Sequence, residues 1–221
     1  MSKILLFIII PFFLFAFNTK YWHTNIDVSC SQILHKKAFD ICYNCKNKIP
    51  NLVVYTLSGN LVNQNNFKRL STFRPDYNLP KKCRAYTKDY SKTGFDRGHL
   101  ANNASFDYDR AIQKETFLLS NIAPQKPQLN RRLWAKIERF ARLQAVKYKQ
   151  IEVITGVCGS IGYIKNNVNI PKWWYKIIYI PTKNKYISFL APNTNIGMSK
   201  AKIKQFLVDK KEIERVCGVG F

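Results

Sequence analysis

Hydrophobic positions change their period several times along the chain, and each change marks an element. The opening "MSKILLFIIIPFFLFAFNTK" is apolar from Ile4 to Phe17 without alternation. "NLVVYTL" (51–57) is β-branched and aromatic and predicts a strand. Residues 58–92 are polar and basic, with turn residues in "RPDYNLP", and read as a long loop region. "TFLLSN" (116–121) is a short apolar run, expected to be another strand. From Asn130 the period becomes helical. In "NRRLWAKIERFARLQAVKYK", Leu133, Ile137, Phe140 and Ala141 recur on one side of an amphipathic helix. "QIEVITGV" (150–157) predicts a strong strand, and "WWYKIIYI" and "KYISFLA" a hairpin around "PTKNK". "MSKAKIKQFLVDK" predicts a helix with Ser199 near its N-cap. There is no internal repeat and no linker, so the pattern describes one α+β domain over residues 51–221. Residues 21–50 are expected to be an irregular, cysteine-bearing extension stapled to it.

The first apolar run is 14 residues long and follows Lys3. That length suits the core of a signal peptide and falls short of a membrane span of about 20 residues. Residues 1–20 are therefore expected to be an export signal to the periplasm or the medium, or an anchor if left uncleaved. An uncleaved segment is the expected route to a membrane.

Six cysteines follow: Cys30, Cys42, Cys45, Cys83, Cys158 and Cys217. An even number in an exported chain predicts up to three disulfides, with about 15 full pairings open. "CYNC" lacks a second CxxC, a spaced histidine pair and a thioredoxin-like setting, which disfavours zinc and redox readings.

Charge narrows the partner. Lys and Arg total 36 against 13 acids, a net charge of +23. Such an excess predicts a polyanion, either nucleic acid or an anionic membrane surface. With 46% hydrophobic and 14% aromatic residues, the chain is not a disordered basic tail.

Candidate chemistry concentrates in residues 93–142. "TGFDRGHLANN" (93–103) carries His99, one of three histidines. His23 and His35 lie in the extension without a comparable setting. Phosphodiester hydrolysis needs a base, a cation with oxygen ligands and positive charge for the extra electrons. A neutral imidazole at His99 can be the base. Asp96 can orient the loop or pair with a nearby base, and Gly98 permits close backbone approach to a ligand. Between Lys126 and Gln150 stand eight Lys or Arg and one acid, Glu138. At about 100° per residue, Arg131, Glu138 and Arg142 share a helical face. Each residue also has a plainer use. His99 can be structural, Asn130 an N-cap, and Glu138–Arg142 a surface ion pair. Asn130 lies about 12 Å of axial rise before Glu138 if both are helical. That is far for two direct ligands, so Asn130 is expected to bind the metal directly and Glu138 through a water. Mg²⁺, which keeps several waters, suits so sparse a set.

"DRGH", "FLLSNIAPQ", "LNRRLW" and "IERFAR" occur in that order, followed by "VITG" and "EIERVCGVGF". Together they resemble the DNA/RNA non-specific endonuclease family over roughly residues 50–221. The resemblance implies a ββα-metal (His-Me finger) fold, with a central antiparallel sheet flanked by helices. It implies a Mg²⁺ cofactor, with Mn²⁺ as a substitute, and cleavage of DNA and RNA with little sequence preference, leaving 5′-phosphates. His99 corresponds to the general base, Asn130 to the metal ligand and Glu138 to the helix glutamate, here after Ile137 and not leucine. Arg97 corresponds to the arginine beside the active site, Asn121 to a supporting asparagine and Arg142 to a phosphate-contacting arginine. Arg131 and Asp96 join as substrate or support residues. A family arginine upstream of DRGH matches either Arg69 or Arg74.

A non-catalytic nucleic-acid-binding or DNA-uptake protein would keep the charge without needing His99, Asn130 and Glu138 together. A membrane-surface binder would associate with lipid and cleave nothing. Nucleic acid is the partner these features specify; they specify no inhibitor protein.

Overall fold

The computed structural model describes residues 17–221 except Asn63, Asn65 and Asn66. The proposed signal or anchor lies outside the described residues apart from residues 17–20. Phe17 is fully buried and bridges to Ile26.

Residues 21–50 are not irregular. They supply β1 (Gln32–His35), β2 (Asp40–Asn44) and the start of β3 (Ile49–Ser58), paired antiparallel in sequence. A short helix α1 (Gly59–Val62) opens the long loop, which runs on to β4 (Asp96–His99). Next come α2 (Arg110–Thr116), β5 (Ile122–Gln125) and α3 (Ala135–Tyr148). Then follow β6 (Gln150–Cys158), the small pair β7 (Tyr163–Ile164) and β8 (Val168–Asn169), and the hairpin β9 (Trp173–Ile180) and β10 (Lys185–Pro192). β11 (Leu207–Val208) and α4 (Lys210–Cys217) end the chain. Seven strands form one antiparallel sheet in the order β1-β2-β3-β6-β9-β10-β11.

Strand side chains alternate between faces, so this sheet buries both. Val53, Tyr55 and Leu57 of β3 pack in one core with Ile137, Ala141 and Ala145 of α3. Leu52 and Val54 point the other way, into a core with Phe17, Trp22, Ile26 and Ile213 of α4. β4 and β5 pair antiparallel on the α3 side, and α3 follows them, completing the ββα unit. Gly98 lets β4 lie against the sheet. A Cβ there would come within 2.4 Å of Gln125 Oε1 and 2.8 Å of Trp174.

Two expected elements differ. "TFLLSN" is not a strand: Thr116 ends α2, Leu119–Asn121 is a 3₁₀ turn, and the strand starts at Ile122. A run this short buries its apolar residues equally well in a turn, and Asp109 caps α2 by accepting from the Ala111 and Ile112 amides. Residues 198–210 do not form a helix starting near Ser199. A 3₁₀ turn (Ile203–Phe206) leads to β11, which pairs with β10. The helix starts one residue after Asp209, whose carboxylate accepts from the Lys211 amide, and ends at left-handed Gly218.

All six cysteines pair, as Cys30–Cys42, Cys45–Cys83 and Cys158–Cys217. Loop-closure entropy makes each worth about 3–4 kcal/mol. Among the described residues no helix is long and apolar enough to cross a membrane.

Candidate active site

A cleft of about 510 Å³ opens between the ββα unit and the long loop. Its lining includes Asp96, Arg97, His99, Asn130, Arg131 and Glu138. β4 delivers the first three and the start of the helix delivers the rest. Asn130 does not cap a helix. It lies in a π-helical turn, Leu129–Trp134, that widens the entry to α3. The turn changes the angular relation of Arg131 to Glu138 from that of a uniform α-helix.

His99 is 7% exposed, and its ring lies 5.3 Å from Phe73 and 5.2 Å from Phe117, centre to centre. Its Nε2 is buried without a hydrogen-bond partner. Burial, and then the Arg69 charge, push the imidazole pKa down to about 3. The ring is therefore neutral at pH 7 and able to accept a proton.

Asp96 binds the turn. Its Oδ2 accepts from Arg131 Nε at 2.8 Å and Asn130 Nδ2 at 2.9 Å, and its Oδ1 from Arg131 Nη2 at 2.6 Å. Burial opposes ionisation of Asp96, but the bonds from Arg131 and Asn130 outweigh it and hold its pKa below the usual carboxylate value. With Nδ2 committed to Asp96, the Oδ1 of Asn130 is the amide atom left for a ligand. Burial raises Glu138 to about 7, against the lowering charges of Lys176, Arg142 and Arg69. Glu138 and Arg142 form no ion pair. Among the described residues no three His, Cys, Asp or Glu group together as a metal site. A neutral amide oxygen and one carboxylate, completed by waters, do fit a hard divalent cation that takes few protein ligands.

Asn121 and Arg142 do not line the cleft. Asn121 is fully buried. Its Oδ1 accepts from the Ala101 amide and its Nδ2 donates to the carbonyls of Ala101 and Thr116, each at 2.8 Å. It clamps the chain just after His99. Arg142 lies one turn beyond Glu138 with Nη1 buried and unpartnered. Of the two upstream arginines, Arg69 lines the cleft, with its guanidinium 5.4 Å from the Phe117 ring centre. Arg74 instead bridges to Leu118 through its backbone. Arg97 stacks over Phe73 at 4.7 Å. Phe73, Asn102 and Asn103 also line the cleft. Only the tertiary path of the loops brings them there, although both asparagines stand in the stretch flanking His99.

The profile of the DNA/RNA non-specific endonucleases matches residues 20–221. This chain belongs to that family. Human mitochondrial endonuclease G is 28% identical over 207 residues, covering 86% of this chain and 69% of that protein. Nuclease C1 of Cunninghamella echinulata var. echinulata is 29% identical over 206 residues, covering 85% and 81%. The nuclease of Nostoc sp. is 31% identical over 150 residues, covering 67% and 54%. A crystal structure of the EndoG/EndoGI complex superposes with a TM-score of 0.79 at 27% identity, covering 86% of this chain and 84% of that one. The endonuclease thus has the ββα-metal fold, and its matched region includes β1 and β2.

Proposed function

We propose that this endonuclease is an exported, divalent-metal-dependent hydrolase of DNA and RNA in which His99 is the general base. The observation that carries this is the neutral, unpartnered Nε2 of His99. It shares a cleft with the Asn130 amide, the Glu138 carboxylate and three arginines. Asn130 would hold Mg²⁺, or Mn²⁺ in its place, through Oδ1, and Glu138 through an intervening water. An ion held by these residues would supply positive charge to offset the negative charge that develops during hydrolysis.

His99 Nε2 takes a proton from the water that attacks phosphorus in line. The P–O3′ bond breaks, the phosphate stays on the 5′ side, and the 3′ oxygen takes a proton from solvent. The incoming phosphate opposes the Arg69 charge and moves the imidazole pKa back up, toward a useful base. Arg69 and Arg97 offer planar donors to the non-bridging oxygens. Such contacts carry no sequence information, which suits low specificity.

Three disulfides favour an oxidising compartment, so the periplasm or medium is the proposed location, with a signal that ends before Phe17, because Phe17 belongs to the folded core. Some similar nucleases are mitochondrial. The similar solved structure is of an EndoG/EndoGI complex and concerns EndoG inhibition, and by that likeness an inhibitor protein is a proposed partner here.

The test is digestion of plasmid and RNA by the disulfide-intact protein with Mg²⁺, with EDTA, and with His99→Ala. Metal-dependent cleavage lost in the variant supports the reading. Binding without cleavage across several divalent metals would replace it with a nucleic-acid-binding protein.

A further inference from the structure

Three cationic groups on the cleft wall suit a phosphate. Arg69, Arg97 and Arg131 are donors only, as a phosphate oxygen requires. Asn102 and Asn103 differ. Each is 5% exposed and each lines the cleft. Asn102 Nδ2 is a donor without a partner, and Asn103 Oδ1 is an acceptor without a partner. The third asparagine on the wall, Asn130, has its amide nitrogen spent on Asp96.

The two amides are held in place. Asn102 Oδ1 accepts from Ser105 Oγ at 3.0 Å, which turns its Nδ2 the other way. The backbone folds into a 3₁₀ turn, with Ser105 N donating to Asn102 O at 3.1 Å and Phe106 N to Asn103 O at 2.9 Å. Asn121 clamps Ala101, the residue before. His99 Nε2 is in the same condition, buried and unpartnered in the same cleft.

A phosphate answers half of this pair. Its oxygens can satisfy Asn102 Nδ2, but against Asn103 Oδ1 they set lone pair against lone pair. A hydroxyl answers both, because it accepts and donates through one oxygen. Within a nucleic-acid strand the ribose 2′-hydroxyl is such a group, and deoxyribose has none. We propose that Asn102 and Asn103 read the ribose 2′-hydroxyl of a nucleotide in the cleft, so that this endonuclease favours RNA over DNA. This rests on the nuclease reading above. A wall that hydrogen-bonds a substrate hydroxyl discriminates against the analogue lacking it, because the buried polar atoms then stay unpaired.

The test compares RNA and DNA oligonucleotides of one sequence, together with RNAs carrying a single 2′-deoxy or 2′-fluoro nucleotide at each position around one cleavage site. The wild type is expected to favour RNA by about tenfold or more in kcat/KM. One 2′-deoxy position should reproduce most of that loss, and 2′-fluoro, which cannot donate, should not restore it. Asn103→Ala and Asn102→Ala should bring the RNA/DNA ratio toward one. These ratios are internal to each enzyme, so a general loss of folded protein does not move them. The wild-type series with modified RNA needs no variant. A wild type that treats both polymers alike, or favours DNA, overturns the proposal, as does an unchanged ratio in both variants. A wild type that cleaves neither polymer overturns the nuclease reading as well, and is thereby distinguishable.

Discussion

The carboxylate of Asp96 grips the guanidinium of Arg131 by two atoms, with Nε at 2.8 Å and Nη2 at 2.6 Å. This fork ties β4, which carries His99, to the turn that carries Asn130. The Arg131 side chain is 67% exposed, so the pair adds little stability, under about 1 kcal/mol. Its value is geometric, because the same carboxylate fixes the Asn130 amide. Asp96→Asn is expected to lower activity and Mn²⁺ affinity by about 10–100-fold while changing the melting temperature little. Metal titration and thermal melting of one preparation check this. A large fall in melting temperature with metal affinity intact would contradict it.

His99→Gln should reduce cleavage by about 10²–10⁴-fold without abolishing nucleic-acid binding. It should also change acid stability. The His99 pKa falls from 6.5 unfolded to about 3 folded, so the unfolded chain binds the extra proton between those values. The wild type therefore loses stability as pH falls from 6.5 toward 3, and the variant lacks that part of the loss. Denaturant midpoints of both proteins at pH 7, 5 and 4 measure it, and curves that stay parallel would exclude it.

Glu138 has the opposite sign. Its folded pKa of about 7 exceeds the unfolded 4.5, so its contribution is present in full below pH 4.5 and is lost as pH rises through 7. Glu138→Gln should gain stability relative to wild type over that window, by about 1–3 kcal/mol at pH 8. A cation at the site favours the carboxylate, so added Mg²⁺ should shrink the difference. Equal denaturant midpoints at pH 4 and pH 8, with or without Mg²⁺, would contradict this.

The Cys45–Cys83 disulfide closes a 38-residue separation that contains Arg69 and Phe73 of the cleft wall. Replacing both cysteines by serine should lower the melting temperature by on the order of 10 °C. KM should rise more than kcat falls, because the loop carries phosphate donors and not the base. Steady-state kinetics at a temperature where both proteins remain folded separates the two.

Much of the sheet was legible in the sequence. Val53, Tyr55 and Leu57 alternate with Leu52 and Val54, and a period of two buries both sets only in a sheet covered on both sides. The helical period of Leu133, Ile137 and Ala141 likewise requires one buried helical face. The order of DRGH, the LN pair and the helix glutamate placed His99, Asn130 and Glu138 as one set. The cleft then brings them together.

Tertiary structure decided what depends on distant neighbours. Residues 32–44 became strands because β3 offers an edge to pair with, and short strands carry little periodicity of their own. "TFLLSN" and residues 198–210 are short or lysine-rich segments whose local pattern does not outweigh a cap at Asp109 or Asp209. The cysteine pairing, and Arg69 at the cleft in place of Arg74, depend on which loops the two cores pull together. So do the unspent amides of Asn102 and Asn103. Local sequence sets a period and a side-chain chemistry, whereas a contact across 30 residues or more is set by what the rest of the chain buries.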